Sequence, residues 1–399
     1  MATLPFVIAM CLAEVLGMLS FGTFQALIPT FKSAWGLSNT DAGWISGIYF
    51  AGYVGAVPVL SSLTDRVDPK KIMLASLALG GLTSLAFALF AEGFWTALIF
   101  RALQGVGLAG TYMPGLKALS DQVEGPNQSR YVSFYTASFG IGSGLSFLFA
   151  GAVAPDFGWG WAFRLNAIGA VLAVLLIIVI LPWAAAAKDT PEHHLLDFRP
   201  VLRNRQAMSY ILAYCGHNWE LFAFRSWVVA FLVFALARHP GTGFGIDATA
   251  IAAAVTLLGV PSSIFGNELA VRYGRRRVIV AIMIASVALS LVIGAAAGVS
   301  YGLVVGLCLL YGALLTGDSG AITAGTVAAA TAGARGATLA MHAMIGFVGG
   351  IFGPLGVGIV LDAAGGASVL GWSLAVAVMG AGSAAALLAI LFVGRPKPP

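Results

Sequence analysis

The sequence is poor in charge. Only 9% of its 399 residues are Asp, Glu, Lys or Arg, whereas 59% are hydrophobic, and the mean hydropathy is +0.93. A soluble domain carries roughly 25% charged residues, because it needs them to cover its surface. This composition excludes a cytosolic enzyme, a nucleic-acid-binding domain and a disordered regulator. It indicates an integral membrane protein.

Cysteine and catalytic motifs are also scarce. The three cysteines, Cys11, Cys215 and Cys308, lie in apolar runs without a CxxC or Cys/His spacing, so neither a disulfide framework nor a metal site is predicted. The sequence contains no GxxxxGK[ST] motif, so we expect a proton gradient rather than ATP as the energy source, and no cofactor. Residues 317–320 spell a serine-protease fragment, but they lie in a hydrophobic run without a plausible base. We therefore do not expect an enzyme.

Twelve apolar stretches are long enough to cross a bilayer, which needs about 20 mostly apolar residues. We number them as spans 1 to 12. In the first half they are predicted at 5–31, 41–63, 72–91, 94–117, 131–155 and 161–186, and in the second at 207–237, 247–271, 278–298, 301–330, 337–362 and 367–393. The stretch 187–206 is the most polar in the chain and is predicted to be a cytoplasmic linker. The predicted domains are residues 1–186, the linker 187–206, and residues 207–399.

The basic residues predict the orientation. With the N-terminus in the cytoplasm, sixteen of the 21 Lys and Arg residues fall on the cytoplasmic side, two fall outside, and three lie within spans. The first apolar run carries no preceding basic residue and extends to Phe31, longer than a signal-peptide core, so it is predicted to be retained. We expect a monomer in contact with membrane lipids, located in a bacterial inner membrane with both termini cytoplasmic.

The two halves resemble each other at an offset of 206 residues. The basic segment 63–71 after span 2 falls on 269–277 after span 8, and the same shift carries Glu14 onto Glu220. Parallel repeats of six helices are a known way to build a secondary transporter. The repeat predicts an all-α membrane protein with two pseudo-symmetric six-helix bundles.

The loops after spans 2 and 8 resemble a signature of the major facilitator superfamily, Gly-x-x-x-Asp-Arg-x-Gly-Arg-Lys/Arg-Lys/Arg. The first copy departs from it at Ser61 and Asp68, and the second has Val271 in the acidic position, for which Glu268 is a possible substitute. The sequence RALQGVG in span 4 matches a second family signature. The resemblance covers the whole chain and implies a transporter fold. It also implies that these loops gate the cytoplasmic side through charge pairs and helix ends; the predicted gate residues are Asp65, Arg66, Glu268, Arg272 and Arg276.

Several ionisable residues lie deep within the predicted spans. A charge at the bilayer centre costs about 2.5–3.5 kcal/mol on insertion scales, so such residues are expected to face a protein interior or a cavity. All of those selected lie in spans 1, 4, 7 and 10, which by the family resemblance line a central cavity. The predicted substrate and proton site comprises Glu14, Arg101, His217, Glu220, Arg225 and Asp318. Arg101 belongs to the RALQGVG signature, so a structural or coupling role is favoured for it over substrate contact.

These features predict a secondary active transporter that works by alternating access and is coupled to protons carried by Glu14 or Glu220. Two buried arginines favour a small organic anion or zwitterion as substrate, although three buried acids argue nearly as well for a cation. A proton-driven exporter of drugs or lipophilic metabolites is the alternative, weakened because no Pro follows Gly144 in span 5. A hypothesis of another class is a membrane sensor that keeps the fold without transporting.

Overall fold

The computed structural model describes residues 3–64, 66–123, 127–183, 198–331 and 333–394, and these ranges consist of helices joined by short turns. Ten helices in the described ranges are long and apolar enough to cross a bilayer. Each of the twelve predicted spans coincides with a helix or with a run of consecutive helices. Of the predicted linker, residues 187–197 lie outside the described residues.

Eight α-helices lie in the described part of the first half of the chain. They are α1 (Thr3–Gly17), α2 (Thr23–Ala26), α3 (Ile28–Trp35), α4 (Asn39–Leu63), α5 (Pro69–Phe90), α6 (Phe94–Gln122), α7 (Gln128–Phe157) and α8 (Trp159–Ile180). A 3₁₀ turn, Met18–Ser20, follows α1, so predicted span 1 is a broken helix composed of α1 to α3. Predicted span 6 ends at Ile180, six residues earlier than expected.

Another eight α-helices lie among the described residues of the second half. They are α9 (Arg199–Arg203), α10 (Arg205–Arg238), α11 (Ala248–Tyr273), α12 (Arg275–Ala296), α13 (Tyr301–Gly317), α14 (Ser319–Ala329), α15 (Arg335–Ala363) and α16 (Val369–Leu388), which continues as a π-turn, Ala389–Val393. The chain divides into two compact units. Unit 1 comprises Met1–Trp35 and Ile48–Glu192, and unit 2 comprises Gly36–Gly47 and His193–Pro399, so the first residues of α4 belong to unit 2.

The backbone polar groups at the break in predicted span 1 have hydrogen-bond partners within unit 1. Backbone polar groups at membrane depth need partners, because the hydrocarbon core offers no water. The amide of Gly22 donates to Ser146 Oγ at 2.9 Å, and Thr23 Oγ1 donates to the Leu19 carbonyl at 2.8 Å. The carbonyls of Ser20 and Phe21 accept from α6, as described below. The non-helical residues are thus anchored rather than left exposed.

The two signature loops begin their helices in different ways. Asp68 N-caps α5: its side chain accepts a hydrogen bond from the amide of Lys70 at 2.8 Å. The residue 206 positions later is Gly274, which precedes α12 with φ +96°, a conformation that strongly favours glycine. The departure at Asp68 from the family signature therefore replaces a glycine turn with a side-chain cap.

Glycines let α10 and α15 approach each other closely. A Cβ added to Gly349 would lie 2.0 Å from the carbonyl oxygen of Cys215, and one added to Gly353 would lie 2.3 Å from that of Trp219. Small residues at helix interfaces are a general device for close packing in membranes. This packing fixes α10, the longest helix and the one that carries three of the predicted site residues.

One carboxylate at the end of α15 holds the start of α4, within unit 2. Asp362 Oδ1 accepts hydrogen bonds from the Asn39 amide (3.1 Å) and Asn39 Nδ2 (2.8 Å), while Oδ2 accepts from the Thr40 amide (2.8 Å) and Thr40 Oγ1 (2.6 Å). Two of these four bonds supply partners to backbone amides that a helix N-terminus leaves unpaired. A negative charge at this end of a helix is also favoured by the helix dipole.

Candidate substrate and proton sites

Glu14 is buried in unit 1, with a single hydrogen-bond donor. Tyr135 Oη of α7 donates to Glu14 Oε2 at 3.0 Å and lies 3.5 Å from the Thr111 carbonyl of α6. Glu14 Oε1 is buried and has no hydrogen-bond partner among the described residues. The carboxyl group can therefore accept a further donor, or hold a proton, without displacing an existing partner.

Arg101 is fully buried and binds the break in predicted span 1. Its Nη1 donates to the Ser20 carbonyl and to Gln104 Oε1, both at 3.0 Å, and its Nη2 donates to the Phe21 carbonyl at 3.2 Å. The guanidinium carbon lies 4.3 Å from the centre of the Tyr49 ring, within cation–π distance. The guanidinium thus holds carbonyls that an unbroken helix would pair, a structural task.

A narrow polar cavity lies beside both groups in unit 1. It is lined by Ser20 and Gln104, which bind Arg101, and by Thr111, whose carbonyl faces Tyr135. It has room for about one water molecule. A water there would have hydroxyl and amide partners, as buried waters usually do.

Glu220 is buried in unit 2 and is held by three hydroxyl groups. Ser286 Oγ of α12 donates to Oε1 at 2.9 Å, Tyr311 Oη of α13 donates to the same oxygen at 2.5 Å, and Ser383 Oγ of α16 donates to Oε2. Donors from three helices surround the carboxylate. Its sequence counterpart, Glu14, has one, so the two environments differ.

His217 and Asp318 form a buried pair in unit 2. His217 Nδ1 lies 2.8 Å from Asp318 Oδ1, and both side chains are at most 3% exposed. Asp318 lies in the gap between α13 and α14, where the helix is interrupted. Among the described residues no group of three or more His, Cys, Asp or Glu side chains could hold a metal ion. The arrangement is an acid–imidazole pair.

Aromatic stacking connects this pair to a second histidine. The Tyr214 ring stacks on His217 with centroids 5.7 Å apart and on His342 at 3.9 Å. His342 Nδ1 lies 3.1 Å from Thr326 Oγ1, and its Nε2 lies 3.4 Å from Thr323 Oγ1. Both nitrogens of His342 therefore face hydroxyl groups and not an acid.

Arg225 is the buried base of unit 2, only 8% exposed. Its guanidinium makes no hydrogen bond or ion pair with another described residue, and its electrostatic neighbour is Tyr214. Tyr214 and Arg225 are eleven residues apart on α10 and so share a face of the helix. A buried cation in this condition is costly unless an anion joins it.

The predicted gate residues are mostly at the surface. Asp65 lies outside the described residues, and Arg66, Glu268 and Arg272 are exposed. Arg276 Nη2 donates to the Leu391 carbonyl at 3.3 Å, within unit 2. The charge-pair role predicted for these residues stays a prediction.

Lys70 of the first loop has a partner that the sequence analysis did not anticipate. It is buried and donates to the Ile178 and Leu181 carbonyls at 2.8 and 2.5 Å. These carbonyls lie at the C-terminal end of α8, where a cation is favoured by the helix dipole. Its ammonium group also lies 4.4 Å from the centre of the Trp183 ring.

Sequence reasoning also missed the hydroxyl partners of the acids. Hydroxyl groups in apolar spans were a usable signal, since a buried carboxylate needs donors. Which hydroxyl group binds which acid depends on contacts between helices that are distant in the sequence, and a single sequence does not reveal these contacts. The missed hydroxyl partners are Tyr135, Ser286, Tyr311 and Ser383. Tyr214, which stacks on His217, and Asp362, which binds the start of α4, were missed as well.

Comparison with known proteins decides the family. The family model described as Major Facilitator Superfamily matches residues 10–354. The chain belongs to the major facilitator superfamily. The family predicted from the loop and span 4 signatures is thereby confirmed. It is a family of membrane transporters.

The similar proteins include spinster proteins and solved superfamily structures. Human protein spinster homolog 1 is 26% identical over 242 residues (57% of this chain, 45% of the human protein), and protein spinster of Drosophila melanogaster is 24% identical over 288 (67% and 46%). The chain therefore spans less than half the length of these relatives. A bacterial homologue of the human lysosomal transporter spinster has a TM-score of 0.76 at 14% identity, over 98% of this chain and 96% of that one. The nucleoside transporter NupG has a TM-score of 0.78 at 14% identity over 100% of both chains. These likenesses confirm the predicted all-α membrane fold.

Proposed function

We propose that this superfamily member is a secondary active transporter of a small organic anion or zwitterion, working by alternating access and coupled to protons. The observation that supports the substrate class is Arg225, a buried guanidinium without a hydrogen bond or ion pair to a described residue. An ionisable residue of this kind within a membrane helix is a candidate for ligand binding. A guanidinium matches a carboxylate or phosphate with two parallel hydrogen bonds.

Each of the other buried charges of the predicted site has at least one hydrogen-bond or ion-pair partner among the described residues, whereas Arg225 has none, which is why an anion is favoured over a cation. Arg101 is committed to backbone carbonyls. Among the acids, Glu220 accepts from three hydroxyl groups and Asp318 faces His217. Glu14 has one donor and is the acid with the most room for a proton. Arg225 is therefore the buried charge that most needs a partner, and that partner must be an anion.

The test is lumenal pH in proteoliposomes while candidate substrates are added outside. The panel contains organic acids, amino acids, amines, lipophilic drugs and nucleosides, the last because the similar NupG structure is that of a nucleoside transporter. Acidification when an acid or zwitterion is added supports proton symport of that class. Alkalinisation with amines or drugs would favour the exporter alternative. Binding without flux across the panel would favour a non-transporting sensor.

Substitution of Arg225 then tests the substrate class. Hydrogen bonds to charged groups contribute about 1.5–3 kcal/mol, and 1.4 kcal/mol is a factor of ten, so Arg225→Ala is expected to weaken anion binding roughly 10- to 100-fold. The matched control is Arg238→Ala, at the exposed end of the same helix. Equal anion affinity in Arg225→Ala and wild type would contradict the proposal, as would an equal loss for a neutral ligand.

A further inference from the structure

The inference concerns the atom that carries the coupling proton, and it rests on the proton coupling proposed above. We propose that His217 Nε2 takes up and releases this proton, with Asp318 as the positioning residue. His217 Nδ1 lies 2.8 Å from Asp318 Oδ1, while His217 Nε2 is buried without a hydrogen-bond partner among the described residues. One ring nitrogen thus lies at ion-pair distance from Asp318 Oδ1, an oxygen that accepts no hydrogen bond from the described residues, and the other ring nitrogen is available.

The carboxylate determines which nitrogen titrates. A neutral imidazole carries its proton on one nitrogen and a lone pair on the other, and the partner of the first sets the choice. With a carboxylate facing Nδ1, the proton of the neutral ring stays on Nδ1 and the lone pair is on Nε2. Protonation adds an N–H bond at Nε2 and converts a pair of charge −1 into a pair of charge zero. No other group has to give up a bond.

The other titratable groups of the cluster are less suited to this step. A proton on Glu220 would confront hydroxyl groups that already donate to the carboxylate, so a donor would have to turn away. Both nitrogens of His342 on α15 face threonine hydroxyls. Tyr214 stacks between the two histidines as a neutral phenol.

The surrounding helices add little further charge. On α13 the buried titratable groups are Tyr311, which binds Glu220, together with Tyr301 and Cys308. The acidic and basic residues of α11, Glu268 and Arg272, are exposed, as is its Tyr273, and α16 contains no titratable residue. The basic residues of α12 lie in its first turn. On α10 itself, Glu220 is an electrostatic neighbour of Asp318, and the other buried charged group is Arg225.

The charge change gives the coupling its sign. His217 and Arg225 are eight residues apart on α10, about 12 Å along the helix at 1.5 Å per residue. The His217–Asp318 pair of charge −1 attracts the Arg225 guanidinium and repels an incoming anion. Both interactions are only weakly screened, because the dielectric constant of the protein interior is low. Protonation of Nε2 removes that charge. Anion binding at Arg225 and proton binding at His217 therefore favour each other, and by linkage the effect is reciprocal.

The experiment compares His217→Gln, Asp318→Asn and the control His342→Gln in proteoliposomes. We measure substrate-driven lumenal acidification, the pH dependence of anion affinity between about pH 5 and pH 8, and exchange of labelled substrate at equal pH. In the wild type we expect affinity to fall as the pH rises. In His217→Gln we expect exchange to persist while acidification is lost and affinity no longer follows pH. In Asp318→Asn we expect a shifted pH profile, because the ring is no longer held, and His342→Gln should behave like the wild type.

The outcomes separate this inference from the proposed function. Wild-type acidification and pH dependence preserved in His217→Gln would overturn the inference and leave proton-coupled transport standing. Substrate flux without proton movement in the wild type would contradict the coupling itself. If His217→Gln does not fold, the wild type still decides the matter by ¹⁵N NMR of labelled histidine in liposomes. A ring that keeps Nδ1–H and gains Nε2–H on acidification supports the inference, and the absence of such a ring overturns it.

Discussion

Replacing Arg101 with alanine should lower the free energy of unfolding of the protein without changing which substrate it binds. The guanidinium makes four hydrogen bonds. Three are 3.0 to 3.2 Å long, two of these to carbonyls freed by the break at Ser20 and Phe21, and the fourth, to Gln25 Oε1, is 3.4 Å long. Alanine would remove the donor that Arg101 supplies to these buried acceptors. The side chain lies in an interior with no exposure, so bulk water does not replace it.

The size of the effect follows from the three shorter bonds. Interhelical hydrogen bonds in membranes average about 0.6 kcal/mol each, whereas bonds to a charged donor in a protein interior contribute about 1.5 kcal/mol or more. The expected loss in the free energy of unfolding is therefore between about 2 and about 5 kcal/mol. Gln104→Ala, which removes one of the three bonds, should cost less. The loss for Arg101→Lys should lie between those for Gln104→Ala and Arg101→Ala, because an ammonium group keeps the charge but lacks the planar fork that reaches both carbonyls.

The assay is reversible unfolding of the purified protein in lipid bicelles, followed by tryptophan fluorescence, with anion binding measured on the folded fraction. Arg164→Ala is the matched control, since this arginine also lies in a span but is only half-buried and contacts Trp161 at 4.9 Å. We expect little change for Arg164→Ala. Unfolding of Arg101→Ala at the wild-type free energy, together with lost anion binding, would refute the structural role and make Arg101 a substrate residue.

Four further substitutions test how the helices are fixed, each by thermal unfolding. Asp68→Ala should lower the free energy of unfolding by about 1 kcal/mol through loss of the α5 cap. Gly274→Ala should lower it by about 1–2 kcal/mol because of its φ of +96°. An unchanged free energy in either variant would contradict the side-chain cap or the glycine turn, respectively. Gly349→Ala should cost about 1–3 kcal/mol, since its Cβ would lie 2.0 Å from the Cys215 carbonyl, and an unchanged midpoint would show that α15 can shift freely. Asp362→Asn should also destabilise, because one amide oxygen cannot accept the four bonds that two carboxylate oxygens accept, whereas wild-type stability would mean that the start of α4 is held by other contacts.

Much of the fold could be predicted because its rule is simple. Backbone groups in a bilayer must be paired within a helix, so an apolar run of sufficient length is a helix. Even α6, which is not among the ten strongly apolar helices because Arg101 and Gln104 lower its hydropathy, was identified from its length and motif. The break after Gly17 was not predicted, because its carbonyls are satisfied by a residue 80 positions away.

The candidate site could be predicted only in part, for a related reason. Burial of the six ionisable residues follows from the cost of charge in a membrane, and each of them is at most 8% exposed. Their partners do not follow, since the pairing of Glu14 with Tyr135 or of Glu220 with Ser383 depends on which helices meet. Burial is a property of one helix and its surroundings. Pairing is a property of the packed unit.

The unequal partners of Glu14 and Glu220 argue against giving the two residues one role on the strength of the repeat. A carboxylate that accepts from three hydroxyls on three helices ties α10 to α12, α13 and α16, and changing its protonation disturbs all three contacts. A carboxylate with one donor and one free buried oxygen can take a proton on the free oxygen without displacing its donor. Glu220→Gln should therefore reduce stability more than Glu14→Gln, with the difference measured as free energy of unfolding. An equal loss in both variants would mean that the number of donors does not decide the role, and the correspondence between the halves would again be the better guide.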